Sequence, residues 1–326
     1  MSQFRSKRRP IHGVFLLDKA SGYSSNASLQ KVKRLFNAQK AGHTGSLDPI
    51  ASGLLPICLG EATKLSSYLL HSDKRYVVRI RLGIETDTAD IEGAVISEAP
   101  VPPLTATLID EVLTPFRGEI TQVPPMYSAL KHQGQRLYDL ARKGVEIERE
   151  PRPITIYELL LKDFDDSSLD LEVHCSKGTY IRSLAQDIGR ALGCGGHVEV
   201  LRRTAVGDLL LENATTVDVL EALEGPLREA SLQPMDGLVA HFPRVDLNDS
   251  LSVLVRQGNP VFVAQAPTSG WVRLYGLGLG FIGLGEVLDD GRVGPRRILQ
   301  LEIPSASRIE AGSDEVAQEP LASDVM

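Results

Sequence analysis

What this 326-residue chain lacks narrows its chemistry before any positive signal is read. Cysteine is scarce: Cys58, Cys175 and Cys194 show no Cys-x-x-Cys spacing and cannot all pair, so no disulfide framework is expected. A reducing, cytoplasmic compartment fits that usage. No apolar run approaches the length of a membrane span. The basic start MSQFRSKRRP is not followed by the apolar core or small-residue cleavage site of a signal peptide, so no membrane partner is expected. No phosphate-cradling Walker loop and no Gly-x-Ser-x-Gly elbow occurs, and nucleotide hydrolysis and serine-hydrolase chemistry are left without support.

Metal chemistry is equally thin. Cys175, Cys194 and His197 lack the paired short spacings of structural zinc. The run Glu85-Thr86-Asp87-Thr88-Ala89-Asp90 lacks the ligand ladder and closing glutamate of a calcium loop. No metal site is expected.

What is present is an uneven charge. The formal net charge is −7, yet through Lys40 the chain carries Arg5, Lys7, Arg8, Arg9, Lys19, Lys31, Lys33, Arg34 and Lys40 against the single acid Asp18. Acids gather from Asp208 to Asp249 and again in the tail, at Glu310, Asp314, Glu315, Glu319 and Asp324. The segment 123–152 is basic, with Lys131, His132, Arg136, Arg142, Lys143, Arg149 and Arg152 around Tyr127 and Tyr138. Such a distribution keeps a polyanionic partner open despite the acidic total, although a solvated surface would look the same.

Periodicity gives the frame. Val14–Leu17, Leu54–Leu59, Tyr76–Leu82, Ala94–Ser97, Ile154–Leu161, Leu169–Cys175 and Val198–Arg202 read as strands. Helices are expected after Ser24 or Ser25, over Glu61–Leu70, over Ala106–Leu113 and from about Thr179 to Leu192. The two types are mixed without regular βαβ alternation, which predicts an α+β fold with a mixed, largely antiparallel sheet over about 10–242. From 243 to 304, strand-like pieces at Val261–Ala264, Trp271–Tyr275 and Phe281–Val287 between glycine turns predict a small β-barrel-type domain. The tail, 305–326, has few large apolar residues and is expected to be disordered.

The strongest local signal is Gly42-His43-Thr44-Gly45-Ser46-Leu47-Asp48-Pro49, which sets one carboxylate on a glycine-punctuated loop before an apolar strand. Pro49 fixes the chain behind Asp48 and biases Asp48 to an extended conformation. Read alone, this is as compatible with an ordinary Asx turn as with a site. A second segment, Lys177-Gly178-Thr179-Tyr180-Ile181-Arg182, lies at a strand-to-helix junction. An arginine there would orient and ionise Asp48 if the two segments met.

Six blocks carry a resemblance: GVFLLDKASGYSS, AGHTGSLDPIASGLLPICLGEATK, DKRYVVRIRLGIETDTADIEG, PPMYSALK, HCSKGTYIRSL and VEVLRRTAVG. Together and in this order they resemble the bacterial TruB-type tRNA pseudouridine synthases over nearly the whole chain. The resemblance implies isomerisation of uridine 55 in the tRNA T-arm, without cofactor or metal, by a monomer that flips the base out. It implies Asp48 as nucleophile and Tyr76 as a ring that stacks on uracil with a hydroxyl placed to help remove the C5 proton. Arg182 is then the partner of Asp48, and Asp90 the residue that positions that arginine. His43 would touch RNA near the extruded nucleotide, Tyr180 and Leu201 would line the pocket, and Lys19 and Lys64 would meet phosphates. Segment 123–152 would close as a thumb, and the C-terminal domain is similar to PUA domains. A non-catalytic tRNA-folding factor is the alternative implied by the same RNA-binding surface. Ala20 and Ser46 depart from the pattern, where proline and alanine are common, without removing a functional group.

Overall fold

The computed structural model describes residues 8–128 and 130–301, and the acidic tail lies outside them. The chain divides into two compact units, Met1–His241 and Phe242–Met326. The first is organised by one large sheet whose main path runs Thr215–Thr216, Gly13–Lys19, Ser52–Leu59, Gly196–Val206, Lys74–Leu82, Ser168–Cys175, Arg152–Asp165 and Gly118–Gln122. Among the described strands two pairings in it are parallel, Gly13–Lys19 with Thr215–Thr216 and Gly196–Val206 with Ser52–Leu59, and the rest are antiparallel. The fold is therefore α+β with a mixed, largely antiparallel sheet.

Alternation sets the strand at its centre. In Lys74–Leu82, Val78, Ile80 and Leu82 are buried while Arg75 and Val77 face outward. Cross-strand register places Leu201 opposite Val78 and Arg203 opposite Tyr76. Directly paired residues share a face, so Tyr76, Leu201 and Arg203 project to the same side.

Helix Ser25–Leu35 starts where Ser24 accepts a hydrogen bond from the Ala27 amide at 3.1 Å. It buries Leu29 and Val32, and Phe36 meets Phe15 edge-on at 5.6 Å. Helix Ala106–Leu113 matches its apolar spacing, with Ile109 and Leu113 buried. The expected helix over Glu61–Leu70 instead splits into a 3-10 turn, Gly60–Lys64, and a short helix, Ser66–Leu70. Thr63 donates its hydroxyl to the Gly60 carbonyl at 2.7 Å and Ser66 donates to Thr63 at 2.9 Å. These local bonds compete with the α-helical ladder.

The second unit has a four-stranded sheet ordered Arg244–Leu247, Gly270–Gly276, Gly280–Val287, Val293–Ile298, with helix Asp249–Arg256 capped by Asn248. Val245, Leu247, Val255, Val272, Leu274 and Ile282 form its core. No pairing among the described residues closes this sheet into the expected barrel. The expected strand Val261–Ala264 reduces to one bridge between Val261 and Val293. Gly278, Gly280 and Gly283 share the glycine spacing of a dinucleotide loop, but they lie in and beside the turn of a hairpin, with no helix following.

One glycine matters for the site. Gly53 sits at φ +99°, paired with Arg203, and a Cβ there would fall 2.3 Å from the Arg203 carbonyl oxygen. Gly53→Ala should therefore lose more than about 2 kcal/mol, from left-handed strain plus overlap. Gly118→Ala, at φ +86° with open space around it, should lose only the backbone part, about 1–2 kcal/mol. Equal losses in urea unfolding would refute the close-approach argument.

Candidate active site

The aspartate loop is held from two sides. On one, the segment after strand Gly13–Lys19 grips the backbone around Asp48. Ser25 is buried, and its hydroxyl donates to the Leu47 carbonyl at 2.8 Å while accepting from the Leu47 amide at 2.7 Å. The Ser21 hydroxyl donates to the Ile50 carbonyl at 2.8 Å, and the Gly22 amide to Pro49 at 2.8 Å. The Lys19 ammonium, fully buried, donates to the carbonyls of Ala20 at 2.9 Å, Tyr23 at 2.7 Å and Pro49 at 3.4 Å. Burial lowers its pKa to about 8, Asp48 pulling the other way. Lys19 thus stands inside the fold as a clamp on this turn, where the resemblance implied a phosphate contact.

On the other side stands Arg203, 1 % exposed. Its guanidinium donates to the carbonyls of Leu54 at 2.8 Å, Ser46 at 3.3 Å and Gly45 at 3.2 Å. A buried guanidinium without such acceptors would carry a large desolvation cost.

Between these grips the carboxylate meets a second buried arginine. Arg182 Nε lies 2.9 Å from Asp48 Oδ2, and Arg182 Nη1 lies 3.5 Å from Asp90 Oδ2. The other bonds of this guanidinium go to main chain: Nη1 donates to Thr88 at 3.0 Å and Nη2 to Tyr127 at 2.7 Å. Asp90 is itself fixed, accepting from the Thr88 hydroxyl at 2.6 Å and the Glu92 amide at 3.1 Å. With every nitrogen engaged, the fork has one orientation, and it aims Nε at Asp48.

Arg182 comes from helix Ile181–Ala191, whose apolar face buries Ile181, Leu184, Ala185 and Ile188. The residue before it, Tyr180, is held by the buried Gln122 amide. Gln122 Oε1 accepts from the Tyr180 amide at 2.8 Å and its Nε2 donates to the Tyr180 carbonyl at 3.0 Å. The Ser183 hydroxyl donates to the Val123 carbonyl at 3.3 Å. Together with the bond to Tyr127, these contacts tie the start of segment 123–152 to the helix that carries Arg182.

Tyr76 is the cross-strand partner of Arg203, and burial pushes its phenol above the ordinary value, Arg203 opposing. Leu201 is buried two residues from Arg203 on the same strand. His43 ends strand Ala41–His43, and its buried Nδ1 has no protein partner. Burial, and then Arg203, pull its imidazole below the usual value, so it is neutral at pH 7. Lys64 lies on the 3-10 turn and pairs with Glu61 at 2.6 Å. In segment 123–152, Tyr127 and Tyr138 meet edge-on at 6.2 Å and Arg142 stacks over Tyr138 at 4.6 Å. The side chains of Lys131, His132 and Arg136 lie outside the described part.

Sequence reasoning did not single out Arg203 or Gln122, and it considered Ser25 only as a helix cap. The available signal was Arg203 within the otherwise alternating strand segment VEVLRRTAV, at an inward position where a charge demands a partner.

Three family models together match residues 33–299 almost without a gap. "TruB family pseudouridylate synthase (N terminal domain)" matches residues 33–181, "tRNA pseudouridylate synthase B C-terminal domain" 182–240, and "Pseudouridine synthase II TruB, C-terminal" 243–299. Among solved structures, a chain of an H/ACA RNP bound to a substrate RNA containing 2'-deoxyuridine is similar at TM-score 0.66 and 26 % identity, over 89 % of this chain and 86 % of that one. The fold thus falls in the pseudouridine synthase class. The tRNA pseudouridine synthase B of Coxiella burnetii is 52 % identical over 90 % of this chain and 96 % of its own. That of Yersinia pestis is 53 % identical over 92 % and 95 %. This chain belongs to the TruB family of pseudouridylate synthases.

The electrostatics give a test that needs no substrate. Withdrawal from water pushes the Asp48 carboxyl above the usual range, Arg182 pulls it back and Asp90 adds to the rise. With 42 % of the side-chain surface still open, water screens part of this. A raised carboxyl pKa means the folded state holds the proton more tightly, so the stability it contributes is present below the unfolded pKa and lost as pH rises through the folded one. Asp48→Asn should accordingly gain on the wild type in urea midpoint between about pH 4 and about pH 7. A gap that narrows in the opposite direction would show that Arg182 dominates and that Asp48 is depressed.

Proposed function

We propose that this protein isomerises uridine 55 in the T-arm of tRNA to pseudouridine, with Asp48 as the nucleophile. The observation that carries the reading is the Asp48–Arg182 ion pair, made by a guanidinium whose remaining bonds leave it no other orientation. A carboxylate so held can form a covalent intermediate without first reorganising, and that splits glycosidic exchange into two easier steps. The N-glycosidic bond breaks, the uracil rotates while it is held, and C5 bonds to the anomeric carbon. Arg182 keeps the carboxylate ionised and directed, and Asp90 holds Arg182.

Tyr76, Tyr180 and Leu201 form the pocket in this reading, Tyr76 lying against the uracil ring. The neutral, unpartnered Nδ1 of His43 is free to meet the RNA beside the extruded nucleotide. A uridine stacked in an RNA loop cannot reach such residues unless it is flipped out. Segment 123–152 then acts as a thumb over the T-arm, reading shape and phosphates, with the C-terminal unit as a PUA-like RNA-binding domain. The protein works as a cytoplasmic monomer, without metal or cofactor.

Purified protein and an unmodified tRNA transcript test this directly. Asp48→Asn should form no pseudouridine while binding tRNA within about threefold of wild type. Full activity in that variant would remove Asp48 from the mechanism, and product from neither protein would favour a pure tRNA-folding role. Arg182→Lys keeps the charge but cannot serve four acceptors at once, so single-turnover rate should fall about 10²-fold with affinity little changed. Affinity should also drop as salt rises, because phosphate contacts release counterions; a flat salt profile would argue against a basic RNA face.

A further inference from the structure

Gln122 is a buried polar side chain for which none of the assigned roles accounts. It ends strand Gly118–Gln122, from which segment 123–152 departs, and in the ladder it stands opposite Arg152, where that segment returns. Its side chain reaches the main chain of Tyr180. The Tyr180 amide donates to Gln122 Oε1 at 2.8 Å, and Gln122 Nε2 donates to the Tyr180 carbonyl at 3.0 Å. Only one orientation of the side-chain amide makes both bonds, since the flipped group would set donor against donor and acceptor against acceptor. Glutamine thus meets an extended residue at two points, as a neighbouring strand would.

Tyr180 is the residue from which the catalytic helix starts. It stands just before helix Ile181–Ala191, extended at φ −102° and ψ 107°, and its own side chain caps nothing. Its carbonyl also accepts the Leu184 amide at 3.1 Å, the first bond of the helical ladder. Gln122 therefore fixes, from a distant strand, the point at which the helix begins. Arg182 follows two residues later, with its guanidinium held at Asp48, Asp90, Thr88 and Tyr127 together. A shifted helix start would move the Arg182 main chain while those acceptors stay in place, and the 2.9 Å contact with Asp48 would lose its length and angle. We propose that Gln122 is a positioning residue for the reaction: its amide sets the start of the Arg182 helix and the placement of Tyr180, and through Arg182 the aim of Asp48. This deepens the proposed uridine isomerisation and rests on it.

Two variants of the full chain test this. Gln122→Met keeps the length of the side chain and removes both polar contacts. Single-turnover pseudouridine formation on a tRNA transcript should slow at least about tenfold, with tRNA affinity within about threefold of wild type, because a small displacement at the reacting groups is costly in rate. A rate near that of wild type in the folded variant would overturn the positioning claim. An affinity that falls as far as the rate would confine Gln122 to holding the RNA-binding segment, and overturn it too.

Gln122→Glu supplies a readout that a merely structural role would not move. An ionised carboxylate accepts from the Tyr180 amide but has nothing to donate to the Tyr180 carbonyl, whereas a protonated carboxyl again offers one donor and one acceptor. Burial raises a glutamate pKa, so the rate of this variant relative to wild type at the same pH should recover as pH falls from about 9 to about 6. A structural role alone would move the urea midpoint with pH and leave the rate ratio of folded protein flat, which would overturn the proposal. Hydrogen exchange reads the contact without activity: amides 180–184 should exchange faster in Gln122→Met than in wild type, with helix Ser25–Leu35 unchanged. Unchanged exchange there would overturn the contact itself. Wild-type protein that forms no pseudouridine would instead refute the enzyme reading, and the catalytic use of Gln122 with it, while the exchange experiment still reports the contact.

Discussion

A guanidinium removed from water has to find an acceptor for nearly every N–H, and two such groups flank Asp48. Arg182 is met by two carboxylates and two carbonyls, Arg203 by three carbonyls. Neither arrangement tolerates a shifted backbone, because carbonyls are fixed by the chain that carries them. The requirement to satisfy two buried cations therefore becomes a requirement on the path of the main chain at residues 45–54, 88 and 127. Loops that look independent in sequence are held in register by it.

The same arrangement carries an energetic penalty that a purely structural core would avoid. Asp48, Lys19, His43, Tyr76 and Arg203 are each pushed by burial toward their neutral forms. Replacing buried charges with packed apolar groups commonly stabilises a protein. Their concentration at one end of the sheet, around a single aspartate, is the pattern expected of a site whose orientation matters more than its stability. The unpartnered Nδ1 of His43 belongs to it: an unsatisfied buried polar atom next to the aspartate loop is a defect in a closed core and an opportunity beside a ligand.

Much of the frame was legible because local chemistry and tertiary packing agreed. Ser24 caps its helix, Val78, Ile80 and Leu82 alternate inward, and the absence of βαβ alternation led to the mixed sheet. Prediction failed where local hydrogen bonds or long-range contacts decide. Thr63 and Ser66 turn an apolar-patterned helix into a 3-10 turn. Lys19 could not be read as buried, because its cage includes the Pro49 carbonyl from 30 residues away. Asp48 stood out for its glycines and proline, and the resemblance supplied its partner, since no spacing in the sequence joins positions 48, 90 and 182. Arg203 escaped notice for the same reason, its acceptors lying about 150 residues upstream.

Arg182 also gives the site a mechanical reach that a simple ion pair would lack. Its Nη2 bonds the Tyr127 carbonyl, within the first residues of segment 123–152, while its Nε holds Asp48. Gln122 and Ser183 fasten the same root to the same helix end. Displacement of that root would draw on the bond to Tyr127 first, and the rigid planar fork would pass the strain to Nε. Position of the basic segment and aim of the carboxylate are thus two readings of one guanidinium. Any ligand that settled the segment in place would favour the orientation in which Asp48 is held, because only differential contact between the two arrangements can shift their balance.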